Sequence, residues 1–88
     1  MPHLSPHALK KMLEDAAREV EVGAVYVHYK DASKAYVVKG FAVLEATDEP
    51  AVVYEWEYEP RLSFIRPLRN FVETVMVDGA SVPRFRKR

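Results

Sequence analysis

The sequence predicts a mainly β domain: a small antiparallel barrel or roll of five to six strands with one N-terminal α-helix. Three observations carry this. The stretch Ala-Val-Val-Tyr-Glu-Trp-Glu-Tyr-Glu at 51–59 alternates without a break, which places Val52, Tyr54, Trp56 and Tyr58 on one face and Val53, Glu55, Glu57 and Glu59 on the other. Short apolar runs after residue 24 are separated by turn chemistry at regular intervals. Apolar residues near the N-terminus instead recur at helical spacing.

Ser5-Pro6 reads as a helix start, a hydroxyl N-cap followed by proline at the first helical position. Leu9, Met12, Leu13, Ala16, Ala17 and Val20 then form one stripe, so a helix is expected from Pro6 to Glu19. A helix of this length is marginal alone. Its stripe packs on its own sheet or on a second copy, so a homodimer through this helix is one expectation.

Val22-Gly23 ends the helix. Val25 to Lys30 alternates, with Tyr26, His28 and Lys30 sharing a face, and Asp31 to Lys34 reads as a polar turn. Tyr36 to Leu44 is the next strand, and Gly40 inside it marks a bulge. Thr47 to Pro50 turns the chain into the 51–59 strand, expected to be central and anchored by Trp56 and Tyr54 in the core, with Tyr58 exposed. Leu62 to Arg66 follows, and Pro67 ends it. Leu68 to Asn70 fits one helical turn, and Phe71 to Val77 a strand. Asp78-Gly79 is a two-residue hairpin signal. Ala80 to Phe85 pairs back, and Arg86-Lys87-Arg88 reads as a frayed basic tail.

Size agrees with one domain over residues 1–88: a helical extension at 1–21, a β unit at 22–85 and the tail at 86–88. A chain of this length buries roughly 60–65% of its unfolded surface, enough for one core. With 49% apolar and 30% charged residues it is globular in composition. There is no cysteine, so disulfides, thiolate metal sites and cysteine nucleophiles are excluded. The N-terminus lacks a signal-peptide pattern and no apolar run reaches spanning length, so no membrane is expected and the cytoplasm is the expected compartment.

Charge is balanced but segregated. Residues 40–60 carry six acids and no Lys or Arg, and residues 66–88 carry six bases against Glu73 and Asp78. The plainer reading is neutralisation across the fold; the sharper one is an anionic partner.

From Gly23, Tyr26 and His28-Tyr29-Lys30 onward the chain resembles a family of small bacterial proteins classed as a domain of unknown function, with a Gly-x-Tyr-x-His-Tyr-Lys-Gly signature. The likeness continues through Tyr36, Val38, Gly40, Ala42, Thr47, Val52-Val53-Tyr54, Arg66-Pro67, Phe71 and Pro83-Arg84-Phe85, in order. It covers residues 23–85, and the helix lies outside it. The resemblance implies an SH3-like β-barrel and implies no activity. Asp31 replaces the signature's last glycine, in a slightly longer loop. Leu44-Glu45-Ala46 stands where the family shows His-Ser-Glu, and Phe64-Ile65 where it shows Trp-Val before Arg-Pro. A polar site shared between the family's two histidines would here retain only His28.

His28 is the foremost candidate for chemistry, because an imidazole titrates near neutrality. Catalysis would need a nucleophile or an orienting acid within reach, and no hydrolase or metalloprotease motif accompanies it. The plain alternative is a half-buried strand histidine bonded to a neighbour. His3 and His7 lack metal-ligand spacing with any acid, so no metal site and no cofactor is expected. Aromatics beside Glu55, Glu57 and Glu59 are compatible with peptide binding, although core packing is the better reading for Tyr54 and Trp56. Arg66, Arg69, Arg84 and the Arg86-Lys87-Arg88 tail offer phosphate contacts with Tyr26, Tyr29 or Phe85 as stacking partners, but a pI near 6.8 is low for a nucleic-acid domain. The reading is an uncharacterised, non-catalytic binding or adaptor module. It recognises protein through Tyr26, His28, Lys30, Arg66 and Arg84, with a nucleic-acid-binding barrel as the alternative and an enzyme centred on His28 third.

Overall fold

The structure, a computed structural model, describes residues 4–88. Helix α1 spans Pro6–Glu19, as the stripe and cap predict. The Ser5 hydroxyl accepts a hydrogen bond from the Ala8 amide at 3.1 Å, satisfying one of the otherwise unpaired N–H groups of the first turn. Gly23 then turns the chain at φ 88°, a left-handed value that costs glycine nothing. His3 lies outside the described residues.

Seven strands follow: β1 Val25–His28, β2 Asp31–Leu44, β3 Glu49–Trp56, β4 Ser63–Pro67, β5 Thr74–Val77, β6 Ala80–Pro83 and β7 Phe85–Lys87, with a four-residue helix α2, Leu68–Phe71, between β4 and β5. Five form one antiparallel sheet in the order β4-β3-β2-β1-β7, and β5 and β6 form a separate hairpin. The class is mainly β with one N-terminal helix, as expected, but the sheet does not close. Strands β4 and β7 remain its edges. In the chain, α2 and the β5–β6 hairpin stand between them.

Several local expectations shift. Phe71, expected to open a strand, closes α2 instead, and β5 begins only at Thr74. The turn after β1 is Tyr29–Lys30, and Asp31 to Lys34 already belongs to β2, which makes that strand 14 residues long. Being long enough to pair with β1 and β3 together, β2 is the middle strand, and the 51–59 segment lies one place from the edge. The last predicted strand divides at Arg84, and its second part turns away from the hairpin to pair with β1. Arg86 and Lys87 therefore lie in a strand opposite Val27 and Tyr26, and the Arg88 amide donates to the Val25 carbonyl at 2.8 Å.

The bulge expected at Gly40 is present as a register shift between Val38 and Gly40. The Asp78-Gly79 hairpin is present too. Both residues have positive φ, 50° and 81°, which suits the turn type whose twist matches paired strands.

One core forms on a single face of the sheet. Ala16 and Val20 of α1 meet Tyr26, Val38, Val52, Tyr54, Leu68, Phe71 and Phe85 there. The helix thus packs on its own sheet. Its docking is reinforced where the Glu21 amide donates to the Tyr26 hydroxyl at 3.0 Å. Leu68 and Phe71, the two buried residues of α2, explain why so short a helix persists: packing, not propensity, holds it. Tyr54 fills the core, but Trp56 does not. It is half-buried at the end of β3, stacked on exposed Tyr58 at 5.2 Å, because the strand leaves the sheet there.

The segregated charges meet. Arg69 pairs with Glu49 at 2.8 Å, and Arg88 with Glu57 at 2.9 Å, each joining the basic stretch to the acidic one. Arg84 pairs with Glu73 and Lys87 with Glu21. Solvent screens these pairs, least at Arg84, whose side chain is largely enclosed, so they orient more than they stabilise.

Candidate functional site

The open seam between the two edge strands is where chemistry-bearing side chains gather. A cleft of about 290 Å3 is lined by His28, Asp31, Lys34, Tyr36, Tyr54, Phe64, Arg66 and Phe85. Phe64 and Arg66 come from β4 and Phe85 from β7, so both edges contribute walls. A second cleft, about 490 Å3, lies on the other side of Arg66 against Ile65, Pro67, Arg69 and Asn70, and the two share Tyr54, Phe64 and Arg66.

Arg66 is fixed by neutral groups. Its Nε donates to the Tyr54 hydroxyl at 3.2 Å, and one Nη1 hydrogen goes to the Asn70 side-chain oxygen. Its guanidinium carbon lies 5.3 Å from the centre of the Phe85 ring. Phe85 in turn stacks on Phe71, centroids 4.2 Å apart and planes within 5°. Among the described residues no carboxylate pairs with Arg66. Two of the five N–H groups of the guanidinium are used, which leaves three for a ligand.

His28 stands edge-on to Phe85, ring centroids 5.0 Å apart. Its Nδ1 accepts a hydrogen bond from the Lys30 amide at 3.1 Å, so the neutral ring carries its proton on Nε2. Burial, then the charges of Arg66, Arg84 and Lys30, hold its pKa below the ordinary value of 6.5. No acid or hydroxyl is hydrogen-bonded to it among the described residues. At the cleft mouth Asp31 accepts from the Ser33 amide and hydroxyl, which hold its carboxyl below the usual range.

The structure brings together only part of the expected set. His28 and Arg66 share the cleft, and Arg84 adds its charge beside them. Arg84 also has structural work, donating from Nε to the Asn70 carbonyl at 3.1 Å and pairing with Glu73. Tyr26 is 8% exposed in the core, its hydroxyl occupied by the Glu21 amide, and its ring stands edge-on to Phe71. Lys30 is exposed on the turn, with its ammonium 6.0 Å from the centre of the Tyr29 ring. Sequence reasoning did not reach Asn70 or the clamp made by the Tyr54 hydroxyl. The one signal for Asn70 is its place four residues after Arg66, across the Pro67 turn. Among the described residues no group of His, Asp or Glu side chains is arranged to hold a metal ion, and no helix is long and apolar enough to cross a membrane.

Residues 24–87 match the family described as "Protein of unknown function (DUF1653)". The chain is also similar to the crystal structure of a protein of that family from Bordetella bronchiseptica. The two are 36% identical and superpose with a TM-score of 0.63, over 77% of this chain and 86% of the other. No curated protein matches it.

Proposed function

Since the chain belongs to the DUF1653 family, for which no activity is known, function has to be read from the site, and we infer a non-catalytic binding module that recognises protein through the seam cleft. One observation carries this: Arg66 is half-buried and positioned by hydrogen bonds, yet faces two clefts with no carboxylate paired to it among the described residues. A partly buried guanidinium held in place by neutral partners keeps N–H groups in reserve, and an anionic partner group would pair with them through charge-assisted hydrogen bonds. Two clefts meeting at that group, walled by Tyr36, Tyr54, Phe64 and Pro67, fit an extended chain segment crossing over it.

The other readings have less support. Tracking a nucleic-acid backbone takes several free cations, whereas four of the six bases between 66 and 88 are already in ion pairs (Arg69, Arg84, Lys87 and Arg88). An enzyme centred on His28 would need a proton-sharing partner, and Nδ1 is committed to a backbone amide. A cytoplasmic setting agrees with the lack of cysteine.

The test is a pull-down from lysate at two salt concentrations with wild type, Arg66→Gln and His28→Ala. A specific protein retained at moderate salt by wild type and lost with Arg66→Gln is expected. Retention of the same protein by Arg66→Gln, or nucleic acid as the captured species, would reject this reading.

A further inference from the structure

We propose that the group taken by Arg66 is a carboxylate of the partner protein, bound in the plane of the guanidinium with the His28 Nε2–H as a further donor, and flanked by an apolar or aromatic residue. This rests on the binding reading above and specifies its ligand. The donor set is small and planar. Three N–H groups of a fixed guanidinium and one imidazole N–H match the in-plane lone pairs of a single carboxylate. A Lys ammonium in place of Arg66 could not keep the Tyr54 and Asn70 bonds and present a fork as well.

The surroundings favour a monoanion over a phosphate. Asp31 lines the same cleft as Lys34, so its mouth is not uniformly basic. The other guanidiniums near Arg66 are already engaged, Arg84 by Glu73 and the Asn70 carbonyl and Arg69 by Glu49. Beside the donors the walls are aromatic. Tyr36 stands edge-on to Tyr54, Phe64 and Phe85 at 5.4 to 6.1 Å between centroids, leaving ring surface for an adjoining apolar side chain. A carboxylate with this neighbour arises at a chain terminus or at an Asp or Glu side chain, and both present the same two oxygens.

The full 15N-labelled chain is titrated with four probes: N-acetylphenylalanine, its amide, N-acetylglutamic acid α-amide and phenyl phosphate. Chemical shifts are followed at the Arg66 Nε–H, the His28 ring and the Tyr36 and Phe64 resonances. Expected are saturable shifts at these groups with one or both carboxylates in the millimolar range, roughly tenfold weaker binding of the phenylalanine amide, and a rise in the His28 pKa on saturation. Tighter binding of N-acetylphenylalanine points to a chain terminus, and of the glutamyl amide to an internal acid. Arg66→Gln should abolish the shifts and Arg88→Gln should leave them unchanged. The comparison of acid with amide on wild type stands even if a variant fails to fold. Equal binding of acid and amide, tighter binding of phenyl phosphate, or no shift with any probe overturns the carboxylate assignment. If the pull-down still shows a partner lost with Arg66→Gln, the assignment has failed alone. If Arg66→Gln keeps the partner, the binding reading has failed with it.

Discussion

The guanidinium of Arg66 on β4 lies over the ring of Phe85 on β7, 5.3 Å from its centre, and so spans two edge strands that share no hydrogen bonds. A side-chain contact does at this seam what a backbone ladder would do in a closed barrel. The same gap leaves room for a cleft, so failure to close and the presence of a candidate site have one geometric origin.

Replacing Arg66 should therefore weaken the fold modestly. Arg66→Gln removes bonds to Tyr54 and Asn70 and the contact with Phe85. The expected loss is about 1–3 kcal/mol in urea unfolding with the m-value unchanged. A loss above about 5 kcal/mol would mean that the residue is architectural rather than poised for a ligand.

His28 should impose a pH dependence of definite sign. Its folded pKa lies below the ordinary 6.5, so near that value the unfolded chain binds more protons than the native one. Stability is then complete above about pH 6.5 and falls as the pH drops through 6.5 toward the depressed folded value. His28→Asn should flatten this part of the curve in denaturant melts across pH. Parallel curves for the two proteins over the window would show that His28 is not depressed in the native state.

The paired rings of Phe71 and Phe85 should be the least tolerant place in the core. Phe71 is 1% exposed and touches Tyr26, Tyr54 and Phe85. Phe71→Ala is expected to cost about 3–5 kcal/mol, a large share of the stability of so small a domain. Calorimetry of Phe71→Ala, Phe85→Ala and the double variant should show strongly non-additive losses, since each single change already breaks the stack. Additive losses would contradict a shared contact.

Helix α1 precedes the family match but belongs to the core. Ala16 is fully buried, whereas Ala17, next to it, is exposed. Ala16→Glu should unfold the chain or lower its stability by several kcal/mol, while Ala17→Glu should stay within about 0.5 kcal/mol. Circular dichroism melts separate the two. Equal tolerance at both positions would mean that the helix does not dock as described.

Features settled by neighbouring residues were legible in the sequence. The Ser5 cap, the Gly40 bulge and the Asp78-Gly79 turn each depend on backbone chemistry within a few positions, and each is found where its residues stand. Alternation at 51–59 correctly gave a strand with Tyr54 inside. It misplaced Trp56, because alternation says which face a side chain takes but not where the strand leaves the sheet. The tail was misread for a similar reason: Arg86 and Lys87 look frayed until β1 is known to have an unpaired edge beside them.

Residue pattern by itself determined the helix, the β class and the pairing of segregated charges as the plainer reading. The tertiary structure alone decided that the sheet stays open, that β2 rather than the aromatic strand is central, and that Tyr26 belongs to the core while His28 and Arg66 share a cleft. Local preference acts over a few residues of chain. The distance from Arg66 to Phe85, or from Tyr54 to Asn70, is set by how separate strands and a four-residue helix pack on one aromatic cluster.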